Sequence, residues 1–392
     1  MKKRAFILVY DGAGIGEQED SYKFGDEGSN TLKHTIEYKK GLRIPNLEKM
    51  GLGKIIPING IRGDVNAIGG YGKMREKSNG KDSVTGHWEI TGLILEKGFK
   101  TYPNGFPQDL IERFKRETGI KGILGNKVAS GTVIIEELGL KHLKTGFPII
   151  YTSDDSVFQI ACHKSVCSVE KLYKYCEIAR KILDDGYDVA RVIARPFEGT
   201  PGHFVRTYER KDFAVPPVSE TLLDQLKHNG HDVIGVGKIG NLFSGNGLTE
   251  DHHTHGDEEG LKLTLELIDR NDWEGLAFIN LVDFDTKYGH RNDVEGYRKN
   301  LEFADVYLGR ILSRLHKEDL FCLTADHGND PTTPSTDHSR EFVPLLCYSP
   351  SGKKDISLGI RDTFADLGAT IADYFELQLK NGKSFLKELI NG

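Results

Sequence analysis

Seven short apolar runs, each closed by a turn-forming or charged residue, limit what this chain can fold into more than any other feature. They are AFILVYD (5–11), FPIIYTS (147–153), RVIAR (191–195), DVIGVGK (232–238), LAFINLVDFD (276–285), FCLTAD (321–326) and VPLLCYS (343–349). Their apolarity is continuous rather than alternating, the mark of strands buried on both faces, as in a parallel sheet covered by helices. Helix-like stretches lie between them. SETLLDQLKHNG offers Ser219 as N-cap and Gly230 as stop, and DVEGYRKNLEFADVYLGRILSRLHK (293–317) is a second. The sum is an α/β sandwich.

A chain of 392 residues exceeds one ordinary core. The middle, about residues 100 to 215, has its own runs and carries Arg191, Arg195, Arg206 and Arg210. It reads as an inserted second domain, with Pro216 and Pro217 as a stiff return linker. A net charge of -6 suits neither nucleic acid nor an anionic membrane. The five cysteines are odd in number and form no C-x-x-C pair, which fits a reducing cytoplasm. The start, MKKRAFILVYDGAG, imitates a signal peptide, but its apolar stretch is too short and runs into Asp11. No segment approaches the ~20 apolar residues of a membrane span.

In parallel sheets, ligands bind outside the carboxyl ends of the strands. Acids fall there: Asp11, Asp283, Asp285 and Asp326. Asp326 is followed at once by His327. Neighbours within a strand point to opposite faces, so both can serve one site only where the strand has ended, and Gly328 supplies that break. A second Asp-His pair follows, Asp337 and His338. Asp11, Asp285, His290, Asp326, His327 and His338 together offer oxygen and imidazole donors without thiolate, which favours Mn²⁺, Mg²⁺ or Zn²⁺. Such a set suits two ions ~4 Å apart, the arrangement used for phosphoryl displacement. The run DHHTHGDEEG (251–260) is denser in acids and histidines, but it adjoins no buried strand end and reads as a mobile, solvated loop.

DGAGIG follows the first run as a dinucleotide fingerprint would, yet Glu17 stands where the third glycine belongs, and no Walker-type motif is present. SNGKDSVTGHWEITG (78–92) is more informative. Gly80 and Gly86 bracket Ser83 and Thr85, with Lys81, Asp82 and His87 alongside. A hydroxyl needs a base or a metal to attack at neutral pH, and a helix N-terminus stabilises the phosphate it would carry.

Taken with FGDEGSNTL, IPNLEKMGLG, YTSDDSVFQIA, RVIARPFEGTPG, NLVDFDTKYGHRND, TADHGNDPTTPSTDHSREFVPLL and DTFADLGATIADYF, these stretches resemble the phosphopentomutases of the alkaline phosphatase superfamily from end to end. The resemblance implies an alkaline-phosphatase-like α/β core, residues 1–99 and 216–392, whose mostly parallel sheet is covered by helices, with a smaller α/β cap inserted at 100–215. Asp11, Asp326 and His327 would hold one Mn²⁺ beside the nucleophile; Asp285, His290 and His338 would hold the other. The phosphorylated hydroxyl falls on Ser83, where the family usually has threonine, with Thr85 and Ser78 as lesser alternatives. Arg191, Arg206 and Lys238 would grip the substrate phosphate, and Asp155 would face the sugar.

The implied reaction moves phosphate between O1 and O5 of ribose or 2-deoxyribose. It runs through a phosphoserine and a sugar bisphosphate, which also acts as activator. EDHHTHGDEEG departs from the family pattern and leaves the exact sugar open. A phosphatase or another phosphosugar mutase on the same site, a metal-dependent binding protein and a nicotinamide oxidoreductase are the rival readings; the misplaced glycine counts against the last. Subunit number leaves no signal in the sequence.

Overall fold

The apolar runs become strands. In the computed structural model, which describes residues 2–153 and 156–390, the chain divides into two compact units. One is Met1–Gly98 with Pro217–Gly392, the other Phe99–Pro216. β1 (Arg4–Tyr10) and β2 (Gly70–Met74) open the first unit. The second holds β3 (Leu124–Val128), β4 (Ile149–Thr152), β5 (Val157–His163), β6 (Arg191–Thr200), β7 (His203–Arg206) and β8 (Lys211–Ala214). The first resumes with β9 (Asp232–Val236), β10 (Glu250–His252), β11 (Gly275–Leu281), β12 (Leu320–Thr324), β13 (Val343–Tyr348) and β14 (Ile356–Arg361).

The first unit's eight-stranded sheet runs β10-β9-β11-β1-β12-β13-β2-β14. From β10 to β12 every pairing is parallel. β13 is antiparallel to both its neighbours, and β14 is parallel to β2. β1 lies at the centre, with Ile7 opposite both Phe278 and Cys322. All its residues are buried, and each large apolar side chain among them contributes roughly 1.5–3 kcal/mol by leaving water. Parallel order has a geometric consequence: the carboxyl ends of β9, β11, β1 and β12 open on one edge. Lys238, Asp283 with Asp285, Asp11 and Asp326 all follow those ends. At the opposite edge the buried Arg4 donates to Asp319 Oδ1 (3.0 Å) and Oδ2 (2.6 Å) and to the carbonyls of Ile268 and Arg270, tying β1 to the approach to β12.

Two expectations are corrected here. The helix Leu222–His228 is capped by Thr221 rather than Ser219, because Asp224 Oδ2 accepts from both the N–H and the hydroxyl of Thr221, closing a capping box. The supposed loop 251–260 is largely structured. Glu250–His252 is the edge strand β10, and the buried Asp257 opens the helix Asp257–Asp269. Asp257 and Asp283 exchange backbone-to-carboxylate hydrogen bonds of 2.8 and 3.1 Å, anchoring that helix to the turn after β11. A short edge strand keeps polar residues because one side faces solvent, which disguises it as loop. The long helix Val294–Arg314, capped by Asp293, is where the periodicity predicts one.

In the second unit the sheet order is β3-β4-β5-β6-β7, with β8 also on β6. Alternate residues take opposite faces. Ile150, Phe158, Ile160, Val192 and Ala194 pack with Phe114 of the helix Gln108–Thr118 and Leu172 of the helix Val169–Leu183. Ile149, Tyr151, Ala161, Phe197 and Phe204 pack with Ile134 and Ile135 of the helix Gly131–Thr145. All five cysteines are free and buried. Among the described residues no helix is long and apolar enough to cross a membrane.

Candidate metal centre

β12 ends at Thr324, and the turn that follows brings the side chains of Asp326 and His327 to one site. His327 Nε2 lies 3.3 Å from Asp326 Oδ2 and 3.4 Å from Asp11 Oδ1. Asp285 stands one turn past β11, in the π-helical segment Phe284–Tyr288. Its Oδ1 is 3.5 Å from His338 Nε2 and its Oδ2 is 3.2 Å from His290 Nε2. Among the described residues two buried groupings could hold an ion, Asp11 with Asp326 and His327, and Asp285 with His327 and His338. His327 is common to both. His290 sits at the rim, its ring centroid 4.8 Å from that of His338. Asp337 turns away to Lys81, at 3.2 Å.

Three carboxylates this deep resist ionisation unless positive charge is at hand. Burial would push Asp326 up, but His327 and His87 outweigh it and hold the carboxyl at about 2. Asp285 is held well below the usual range against burial by His290 and His338. In return His327, despite burial, is drawn well above its ordinary value by Asp326 and Asp11. The cluster calls for cationic charge. Asp11 Oδ1 and Asp326 Oδ2 are buried and meet only imidazole nitrogens, His327 Nε2 at 3.4 and 3.3 Å and, for Asp326, His87 Nδ1 at 3.1 Å, so lone pairs remain directed into the cluster. Outer carbonyls orient the rings: His290 Nδ1 is 2.6 Å from Thr336 O, and His327 Nδ1 is 3.0 Å from Gly328 O. In both, Nε2 is left for the carboxylates, the usual second layer of a metal site. Oxygen and imidazole donors with unspent lone pairs fit divalent cations.

Ser83 is the first residue of the helix Ser83–Ile90, whose N-cap Asp82 accepts from Val84 N (3.0 Å) and Thr85 N (3.2 Å). Its Oγ is 3.1 Å from His327 Nε2. The alternative hydroxyls are otherwise engaged. Thr85 Oγ1 donates to Asp82 Oδ2 (2.6 Å), and Ser78 Oγ accepts from Leu95 N (3.0 Å). The helix can lean on the turn after β12 only because residue 86 is glycine, since a Cβ there would stand 2.1 Å from the Asp326 carbonyl oxygen. Arg340 braces the loop in front of the helix by donating to the carbonyls of Glu76 (2.8 Å), Ser78 (2.7 Å) and Gly80 (2.6 Å).

Two residues of the site escape sequence reasoning. Asn280, on β11, donates to Asp11 Oδ2 (3.0 Å) and contacts His87 Nε2 (3.2 Å); Asn329 donates to Asp285 Oδ1 (2.7 Å). A lone amide inside the apolar run FINL is the signal that could have exposed Asn280. Lys238 follows β9, half-buried, and makes no ion pair among the described residues. Arg191 and Arg206 belong to the second unit, Arg191 lying 3.6 Å from Asp212 and Arg206 closing β7 with its side chain exposed. Asp155 lies outside the described residues.

The metalloenzyme superfamily model matches residues 3–379. A phosphopentomutase from Carboxydothermus hydrogenoformans is 56% identical over 387 residues, covering 99% of this chain and 99% of the relative. One from Dictyoglomus thermophilum is 57% identical over 391 residues, covering 100% and 99%. The chain belongs to the phosphopentomutase family. With that membership it is an isomerase, an intramolecular phosphotransferase, and the two acid-imidazole groupings are those of a divalent-metal enzyme. Among solved structures, a phosphoglycerate mutase from Leishmania mexicana aligns over 98% of this phosphopentomutase-family chain and 97% of its own, at 12% identity and a TM-score of 0.49.

Proposed function

We propose that this enzyme interconverts the 1- and 5-phosphates of ribose or 2-deoxyribose through a phosphorylated Ser83 and a sugar bisphosphate. The observation that carries the reading is the Ser83 hydroxyl, alone in its segment in facing the cluster, 3.1 Å from His327 Nε2. It opens a helix, where a phosphoryl group gains from the dipole and from unsatisfied N–H groups. Asp11, Asp326 and His327 would hold one divalent cation, and Asp285, His290 and His338 the other, with Mn²⁺ the proposed ion. Bound there, the cations supply charge neutralisation to the phosphoryl oxygens and to the Ser83 alkoxide.

Phospho-Ser83 gives its phosphoryl group to the free hydroxyl of the bound monophosphate; the bond to Ser83 Oγ breaks as the new ester forms. The bisphosphate then returns its other phosphoryl group to Ser83, and the proton shed by the first hydroxyl is regained by the second. Arg191, Arg206 and Lys238 grip the phosphate that is not reacting, as guanidinium forks and a point charge suit it, and Asp155 meets the sugar. The inserted unit, residues 100–215, acts as a cap that shuts out water, the condition that separates transfer from hydrolysis. Free, buried cysteines suit a cytoplasmic setting.

The test is a direct assay of 1- and 5-phosphate interconversion with Mn²⁺ and a trace of sugar bisphosphate, followed by intact mass. Interconversion without phosphate release, and one phosphoryl group added to the chain, are expected. Steady phosphate release would make it a phosphatase. Ser83→Ala should abolish both turnover and the mass shift while keeping divalent-cation binding; retained turnover would pass the role to Thr85 or Ser78.

A further inference from the structure

A fourth carboxylate lies behind the centre, and the reaction described above makes no use of it. Glu341, two residues before β13, is 0% exposed. Its Oε2 accepts from the N–H groups of Thr31 (2.9 Å) and Gly16 (3.1 Å), and its Oε1 from the hydroxyls of Thr31 (2.7 Å) and Ser339 (2.8 Å). Two glycines make room for it, since a Cβ on Gly14 or on Gly328 would overlap its carboxylate. All four donors are neutral. Taking a carboxylate out of water is costly, so fold stability alone gives no reason to keep one here.

Its two hydroxyl partners lead to ligands of one cation. The Thr31 hydroxyl, which donates to Glu341, accepts from the N–H of Asn329 (3.0 Å), and the Asn329 amide donates to Asp285 Oδ1 (2.7 Å). Ser339 follows His338 and exchanges backbone hydrogen bonds of 3.0 and 2.7 Å with Gly328, which joins the segment of His338 to the turn that carries Asp326 and His327. Asp285 Oδ1, where the first path ends, is the oxygen 3.5 Å from His338 Nε2. The other grouping has supports of its own: Gly12 N donates to Asp326 Oδ1 at 3.0 Å, and Asn280 to Asp11 Oδ2.

We propose that Glu341, acting through the hydroxyls of Thr31 and Ser339, is a positioning residue that sets Asp285 and His338 at the spacing one divalent cation requires. The inference rests on the two-cation reading above and adds to it a residue that touches neither ion nor substrate. Ligands held by a fixed outer partner are presented to the metal without reorganisation, whereas a ligand pair on two loose turns must be ordered at the moment of binding. Loss of the network therefore acts on the cation held by Asp285, His290 and His338 and spares the one held by Asp11 and Asp326.

Thr31→Val is the sharp test, because it removes the hydroxyl at nearly constant volume, while Thr31→Ser keeps it. Glu341→Gln is the second variant, setting an amide NH₂ against either the backbone donors or the hydroxyls. Calorimetric titration of metal-free, full-length protein with Mn²⁺ should show two ions in the wild type. In Thr31→Val and Glu341→Gln one affinity should fall ~10–100-fold while the other stays within about threefold, and Thr31→Ser should keep both. With two equivalents of Mn²⁺, electron paramagnetic resonance should show a spin-coupled pair in the wild type and isolated ions in Thr31→Val. Unchanged affinities, an equal loss at both sites, or a loss that Thr31→Ser shares overturns the proposal. So does a lowered unfolding midpoint of the metal-free protein with both affinities kept, which would make Glu341 a brace of the fold alone. If Glu341→Gln fails to fold, the Thr31 pair decides. A wild type that binds a single ion overturns the two-cation reading instead; the positioning role then stands if Thr31→Val weakens that ion and Thr31→Ser does not, and falls otherwise.

Discussion

At the scale of single residues, Asn280 shows how the centre is held. Its amide nitrogen reaches Asp11 Oδ2 and His87 Nε2, while His87 Nδ1 lies 2.9 Å from the carbonyl oxygen of Ser83 and 3.1 Å from Asp326 Oδ2. One amide thus links a carboxylate of the cluster, through His87, to the residue bearing the hydroxyl. Removing such an outer partner typically costs a metal site ten- to a hundred-fold, so Asn280→Ala should weaken Mn²⁺ binding by ~10–100-fold in a competition titration against a chelating dye. Unchanged affinity would show that the amide does not orient the site. The acids and histidines of the cluster were legible in the sequence because strand ends and turns are where such residues collect. Asn280 was not, since its partners come from 269 and 193 positions away and nothing local hints at them.

Among elements, the loop before the helix Ser83–Ile90 depends on Arg340. Its guanidinium serves three carbonyls and pairs with Glu76 at 2.9 Å, a planar fork that an ammonium cannot reproduce. Arg340→Lys should therefore cost about 2 kcal/mol in denaturant unfolding and lower kcat more than it raises KM; wild-type kcat would mean the loop is held by other contacts. In the second unit, burial raises Asp212, but Arg210 and Arg191 outweigh it and hold the carboxyl at about 2. An acid depressed below its unfolded value of ~3.9 contributes stability above that pH and loses it as pH falls toward the folded value. Stability should drop by roughly 2–3 kcal/mol between about pH 5 and pH 1, and Asp212→Asn should flatten that dependence in denaturant melts. The same acid sensitivity in the variant would trace it to other carboxylates. In the first unit's sheet, β1, β9, β11, β12 and β13 were legible as continuous apolar runs. β2, β10 and β14 were not, because a glycine-rich strand and two edge strands lack such a run.

For the whole molecule, the metal cluster gathers segments from both ends of the chain, so chelation should remove turnover and also lower the thermal unfolding midpoint, as the carboxylates lose the charge that offsets their burial. An unchanged midpoint with activity lost would limit the ions to chemistry alone. At the opposite edge of the same sheet, Asp319→Asn leaves Arg4 buried without its counter-charge and should cost ~3–5 kcal/mol by denaturant titration. A smaller loss would mean the carbonyls of Ile268 and Arg270 suffice. What the sequence determined by itself was the buried strands β1, β9, β11, β12 and β13 of the eight-stranded sheet and the fall of acids at the carboxyl ends, since burial on both faces demands unbroken apolarity and parallel strands end on a common edge. Tertiary structure alone decided that Asp11, Asp285 and Asp326 meet and that Ser83 rather than Thr85 faces His327. Those meetings follow from the spatial order β11-β1-β12 and from how helices seat on each sheet, and contacts between residues hundreds of positions apart leave no local imprint on the chain.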